Sequence, residues 1–208
     1  WQAAQSVTLW ADPSRSMGFS GDAARPTKGG RAKVLALALG ILLLKGGERV
    51  GLAGQPPRPG RAQIVTLANG LAEGAEDYGL PDASGLVAHG RAVFLSDFLG
   101  PLEGLETALA FAADRGVRGV LVQILDPAEE EFPFSGRTVF QSMGGSLSHE
   151  TQSAAALRER YLARLAERKD RLTALSRAVG WHYACHHSGD PAQSALLWAY
   201  QALAGGKR

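Results

Sequence analysis

Short apolar stretches alternate with segments of helical periodicity along the whole chain. The apolar stretches predict five strands, at 6–10, 49–54, 91–97, 117–126 and 181–187. The segments between and after them predict helices, at 31–45, 62–71, 101–115, 153–179 and 191–204. Strands and helices in this alternation predict a parallel sheet built by right-handed crossovers. We therefore expect a doubly wound α/β fold with helices on both faces and the first strand in its interior.

Length and composition are those of an ordinary globular protein. The chain has 208 residues, of which 45% are hydrophobic and 20% charged, and its formal net charge is +2. The length predicts one domain over 1–208, and the small net charge predicts no bulk attraction to nucleic acid. The longest apolar run, 34–44, is shorter than the ~20 residues that a membrane-spanning helix needs, so we expect no membrane span. No signal peptide is visible, and Cys185 is a single cysteine, so we predict a cytoplasmic protein.

Polar side chains follow three of the predicted strands, where ligands bind in open α/β sheets. Asp12, Ser14 and Ser16 follow the first strand at alternate positions, which point to one side of an extended chain. Asp97 follows the third strand and Asp126 the fourth. Oxygen groups of this kind suit a hard cation such as Mg²⁺. The alternative is a polar turn, because Asp-Pro-Ser is also a common turn sequence.

Two enzymatic functions are alternatives for this sequence: ATP hydrolysis and metal-dependent hydrolysis. No Walker A pattern and no G-x-G-x-x-G follows a predicted strand, which argues against ATP hydrolysis by the chain itself. A metal-dependent hydrolase would use Asp12, Asp97 and Asp126, and it would need a general base and a defined cleft. A shallow rim at this edge would instead favour a protein-binding module.

Four quoted segments carry a resemblance to a known family: "DPSRSM", "GGERVGLAG", "VFLSDFLGPLE" and "GVRGVLVQILDPAEEEFPFSGRTVF". Together they resemble a bacterial von Willebrand factor A-like family known only as domain of unknown function number fifty-eight. The resemblance extends nearly from end to end, including "YLARLAERKDRLTALSRAVGWHY". The family pattern also has a segment ahead of the domain, so we expect this chain to be a fragment without it.

The resemblance implies a von Willebrand A-type fold with a metal-ion-dependent adhesion site. In that site Asp12, Ser14, Ser16 and Asp97 would hold the Mg²⁺ ion. The implied role is non-enzymatic: an adaptor or chaperone-like module that binds proteins. Genes of the family often stand beside those of MoxR-type AAA+ ATPases, so such an ATPase is the implied partner.

One ligand of the adhesion-site pattern is missing from this sequence. The site normally takes a threonine from the loop before the second crossover helix, but "QPPRPGRAQ" has none, and Thr66 follows within the predicted helix. Arg58 and Arg61 lie in that loop, and Arg15 lies inside the motif. A guanidinium near the carboxylates would repel a cation or replace it. We therefore expect Mg²⁺ to be held weakly or to be absent, in a degenerate site or a structural remnant whose polar edge still contacts proteins.

The predicted fifth strand carries a cluster of metal-ligating residue types. Alternation places His182 and His186 on one face, and Cys185 and His187 on the other. One short strand cannot direct all four to a tetrahedral ion, so we predict partly exposed histidines at a strand end rather than a zinc site. Adjacent strand residues also face apart, which argues against a catalytic Cys–His pair.

Two further segments have the character of surfaces. In the helix predicted at 153–179, acidic residues interleave with the basic ones, which favours an ion-paired solvated face over nucleic-acid binding. An acidic run, 129–131, precedes Phe132, Phe134 and Phe140. These aromatic residues form either a partner surface rimmed by charge or a satellite cluster folded back on the sheet edge.

Overall fold

The computed structural model describes residues 4–72, 74, 76–133, 138–141, 148–151 and 154–205. The strands within these residues are β1 (Ser6–Ala11), β2 (Arg49–Leu52), β3 (Arg91–Ser96), β4 (Arg118–Leu125), β5 (Thr138–Gln141), β6 (Ser148–Thr151) and β7 (His182–His187). The helices are α1 (Lys28–Lys45), α2 (Ala62–Gly70), α3 (Glu103–Asp114), α4 (Pro127–Glu131), α5 (Ala154–Ala178) and α6 (Ala192–Ala204). A 3-10 turn, Arg15–Gly18, follows β1.

The five predicted strands form one sheet in the order β2-β1-β3-β4-β7, and every pairing in it is parallel. β1 lies in the interior between β2 and β3, as predicted. The α/β fold class is confirmed, and the architecture is consistent with a von Willebrand A-like doubly wound fold. β2 lies next to β1 on one side, and β3, which follows β2 in the chain, lies next to β1 on the other side. The strand order therefore reverses between β1 and β3. Ligand sites of such sheets lie at this reversal.

Side chains of the sheet enter two hydrophobic cores, one on each face. Val93 and Leu95 of β3 pack on the face covered by α1 and α6, whereas Phe94 packs on the face covered by α3 and α5. All three side chains are buried, as the period-two alternation of a strand covered on both faces requires. The two layers of helices therefore fix the ends of β1, β3 and β4 relative to one another.

Two helix starts differ from the prediction. α1 begins at Lys28, earlier than position 31, because the Thr27 hydroxyl caps it by accepting the Gly30 amide hydrogen at 3.0 Å. Gly29 and Gly30 hide this first turn in the sequence, since glycine is a poor helix former. α4 was not predicted. It begins after Asp126, which forms a capping box with Glu129.

The sequence of 133–140 is compatible with a short hairpin or an extended arm. In the structure, β5 at its end pairs antiparallel with β6, which lies beyond that range. Phe132 is buried against Tyr161, with 5.2 Å between the ring centroids, so it is folded back on the protein rather than exposed. Phe134 and the side chain of Phe140 lie outside the described residues.

Candidate functional site

The motif after β1 lies at the carboxyl edge of the sheet, against the end of β3. Asp12, Ser14 and Ser16 are all buried. The Asp12 carboxylate accepts hydrogen bonds from the Ser14 amide at 2.8 Å and from the Ser96 hydroxyl at 2.5 Å. The Ser14 and Ser16 hydroxyl oxygens lie 3.2 Å apart. The three motif residues therefore form one hydrogen-bonded group joined to the end of β3.

Asp97 lies directly beyond β3 and is almost completely buried. One of its carboxylate oxygens accepts the Leu99 amide hydrogen at 3.0 Å, and the other accepts a hydrogen bond from the Lys28 ammonium at 2.8 Å. The Gln123 side chain donates to the backbone carbonyl of Asp97 at 2.8 Å. Both carboxylate oxygens of Asp97 are therefore engaged by donors of the chain itself.

Lys28 supplies a buried positive charge at this edge. Its side chain is 2% exposed, and its ammonium lies 2.8 Å from the Asp97 carboxylate and 2.7 Å from that of Glu129. Burial disfavours the charged ammonium, but the two carboxylates outweigh burial and raise the pKa of Lys28 above its ordinary value. Burial raises the pKa of Glu129, and Lys28 offsets this effect only in part. The ammonium thus lies between two largely buried acids and compensates one negative charge.

The residues in this arrangement are a poor fit for Mg²⁺. The ion requires near-octahedral oxygen ligation. Here the Lys28 ammonium already binds Asp97, and a second cation beside it would be repelled. Thr66 is exposed on α2 and supplies no ligand. Metal ligation by Asp12, Ser14, Ser16 and Asp97 stays a prediction.

The arginines considered from the sequence lie elsewhere. The chain after β2 turns back, and Arg58 exchanges two backbone hydrogen bonds of 3.0 Å with Val50, near the start of β2. Arg58 therefore lies near the start of β2 rather than at its carboxyl end, and Arg61 is exposed directly before α2. Arg15 is exposed. Within the described residues none of these arginines pairs with Asp12 or Asp97, so the charge expected from an arginine comes from Lys28.

Asp126 has a structural role at the end of β4. Its carboxylate accepts hydrogen bonds from the Ala128 amide at 2.9 Å, the Arg25 guanidinium at 3.1 Å and the Ser188 hydroxyl at 3.0 Å. Burial opposes its charge, but these donors and the Gly21 amide outweigh burial and lower the pKa of Asp126. A carboxylate with this many donors is poorly suited to act as the general base of a hydrolase.

A loop covers the polar edge. The Glu76 carbonyl accepts the Arg15 amide hydrogen at 2.9 Å, and the Asp77 carbonyl accepts that of Ser16 at 3.1 Å. Gly79 lies directly on Asp12, because a Cβ atom at Gly79 would be 2.1 Å from the carboxylate. The cavity beneath the loop has a volume of about 10 Å³. That is the space of roughly one water molecule, not of a substrate cleft.

Sequence reasoning missed Lys28 and Glu129. A lysine in the first turn opposes the helix macrodipole and so indicates an acidic partner, but the helix predicted from position 31 left Lys28 outside it. Glu129 stands three residues after Asp126 in the pattern of a capping box, which was the signal for its place near the strand edge.

Comparison with known proteins supports the resemblance carried by the motifs. Residues 1–171 match the family described as "Protein of unknown function DUF58". The chain belongs to the DUF58 family. The match includes Asp12, Ser14, Ser16 and Asp97, together with Lys28 and Glu129. No curated protein matches this DUF58 chain.

Two solved structures have a similar fold. The conserved hypothetical protein BatB from Bacteroides thetaiotaomicron is 14% identical, with a TM-score of 0.53 over 97% of this chain and 98% of that one. An aerotolerance-related membrane protein from Bacteroides fragilis NCTC 9343, with multiple mutations to serines, is 15% identical, with a TM-score of 0.52 over 97% and 100%. At these identities the likeness shows the fold alone. In the DUF58 chain, no helix of the described ranges has the length and hydrophobicity to cross a membrane.

Proposed function

We propose that this DUF58 chain is a non-enzymatic protein-binding adaptor whose contact surface is the carboxyl edge of the sheet around Asp12. In this proposal Lys28 replaces the cation of an adhesion site. The observation that carries it is the buried ammonium of Lys28 between Asp97 and Glu129. A buried charge is tolerated when it is paired, and here the pairing needs no external ion.

Arg15 is the proposed contact for an acidic group of the partner. It is exposed, and its backbone is held over the site by the hydrogen bond from its amide to Glu76. It forms no ion pair within the part of the chain that the structure describes. An exposed guanidinium without an ion pair among the described residues attracts carboxylates and can bind them in a bidentate manner. The partner's acidic side chain would therefore approach Arg15 instead of completing a metal shell.

The rival hydrolase function is not favoured by this geometry. Asp12, Asp97 and Asp126 all accept hydrogen bonds from the chain, and the cavity beside Asp12 and Asp97 admits about one water. A hydrolase would need a free general base within reach of a bound substrate.

The proposed partner is a MoxR-type AAA+ ATPase, and the proposed location is the cytoplasm. The resemblance to the family suggests this partner, and membership of DUF58 supports the resemblance. The chain would act on the assembly of other proteins through the ATPase rather than through chemistry of its own.

Binding to the ATPase encoded in the same genome tests the proposal. We expect Arg15→Glu to weaken binding at least about tenfold by reversing the contact charge. Lys45→Glu makes the same charge change at the far end of α1, beside the start of β2, and should alter affinity less than about twofold. Chelation of Mg²⁺ in the absence of nucleotide should leave binding unchanged. Equal effects of the two substitutions, or no binding to the ATPase, would contradict the proposal.

A further inference from the structure

A second group of ligating side chains lies at the carboxyl end of β7. One oxygen of Glu130, the Cys185 sulfur and a ring nitrogen of His187 all lie within 4.8 Å of one another. The three residues are half-buried, so the group is accessible from solvent. Its residues are distinct from those around Asp12.

Two elements bring the group together. Cys185 and His187 point to the same face of β7, as alternation requires. Glu130 comes from α4, and its carboxylate lies 2.5 Å from Nε2 of His187. The neighbouring Glu129 turns to Lys28 instead. β7 alone supplies two ligands on this face, Cys185 and His187. α4 supplies the third, Glu130, which alternation along one strand does not reveal.

We propose that Glu130, Cys185 and His187 form a binding site for a divalent cation of the zinc class, with the fourth position open. Thiolate and imidazole ligands favour zinc over magnesium, and three protein ligands with one open position are a common zinc arrangement. Two anionic ligands and a neutral imidazole balance the charge of the ion. Asp190 lies 3.5 Å from Nδ1 of His187 and orients the ring so that Nε2 faces the site.

Lys169 of α5 is the internal competitor for this position. Its ammonium pairs with the Glu130 carboxylate and hydrogen-bonds the Cys185 thiol. Its side chain is 27% exposed, so the ammonium can move to solvent when an ion binds. Repulsion between the ammonium and the ion lowers affinity, so removal of this charge should strengthen binding.

Titration of the metal-free chain with Co²⁺, followed by competition with Zn²⁺, tests the site. We expect one equivalent of Co²⁺ to bind with a thiolate charge-transfer band, and Zn²⁺ to displace it. Cys185→Ser should abolish the band and weaken binding at least about tenfold, whereas Lys169→Met should strengthen binding about tenfold. His182→Ala is the matched control, because His182 lies on the same strand but on the opposite face, and affinity should change less than about twofold.

The strengthening by Lys169→Met does not depend on deleting a ligand, so it separates ligation from loss of fold. Circular dichroism of each variant provides the check on folding. Absence of saturable Co²⁺ and Zn²⁺ binding by the wild-type chain, or binding that Cys185→Ser leaves intact, would overturn the proposal.

Discussion

A single buried ammonium determines the electrostatics of the candidate site. Lys28 reaches both Asp97 and Glu129, and all three side chains are buried or nearly so. Breaking such a group by removing one member leaves uncompensated buried charge, which costs far more than losing an exposed ion pair. Lys28 is therefore a residue on which the fold and the proposed function both depend.

Lys28→Met is expected to lower the free energy of unfolding by about 3–5 kcal/mol. Burial already raises the pKa of Glu129, and without the ammonium that pKa rises further, so the variant loses stability as the pH rises through it. The deficit should therefore be larger at pH 8 than at pH 5. Urea unfolding at both pH values measures it.

Lys45→Met is the control for Lys28→Met, because Lys45 is exposed at the last position of the same helix. We expect it to change stability by less than about 0.5 kcal/mol. Equal losses in the two variants would show that the Lys28 pairings contribute little.

The residues of the site were predictable to different degrees. Asp12 and Asp97 could be placed from the sequence, because each directly follows an apolar strand and strand ends share one edge. Lys28 could not, because its pairing with Asp97 joins positions 69 residues apart and depends on the start of α1. The glycines after Lys28 concealed that start.

At the scale of elements, the loop over the polar edge closes the site. Residues 76–79 accept backbone hydrogen bonds from Arg15 and Ser16 and place Gly79 on Asp12. Only a residue without a Cβ fits so close to the carboxylate. This contact joins the loop to the motif after β1 and leaves space for about one water molecule beside Asp12.

Gly79→Ala should displace this loop, because the new methyl carbon would meet the Asp12 carboxylate. We expect hydrogen exchange at the amides of Arg15 and Ser16 to accelerate about tenfold, corresponding to about 1.4 kcal/mol of lost protection. Gly74→Ala is the control, since its Cβ would meet Pro13 at an ordinary 3.4 Å. Unchanged exchange in Gly79→Ala, or equal acceleration in both variants, would argue against the covering role.

Elements with strong periodicity were predicted well, and short ones were not. Five of the eight residues of β4 are Val, Leu or Ile, and its bounds were predicted to within one residue at each end. α4 is one short turn whose formation depends on the Asp126–Glu129 capping box rather than on an apolar face. α4 nevertheless supplies Glu129 to the group around Lys28 and Glu130 to the proposed cation site. Because α4 was not predicted, neither role was predicted.

At the scale of the whole molecule, the parallel sheet brings distant segments to one functional edge. The strand order reverses between β1 and β3, so Asp12 contacts Ser96, 84 positions further along the chain, and Asp97 follows Ser96 at the same edge. The first crossover helix, α1, begins at the same edge, and this places Lys28 beside Asp97. The topology thus explains how the Lys28 ammonium comes to lie beside the carboxylates at the strand ends.

The central claim is that Lys28 replaces the metal, and calorimetric titration of Mg²⁺ and Mn²⁺ into the wild-type chain and an Asp12→Ala variant tests it most directly. We predict no saturable binding heat that Asp12→Ala removes, because the Lys28 ammonium already compensates Asp97. Saturable binding in the wild type that is lost in Asp12→Ala would contradict it.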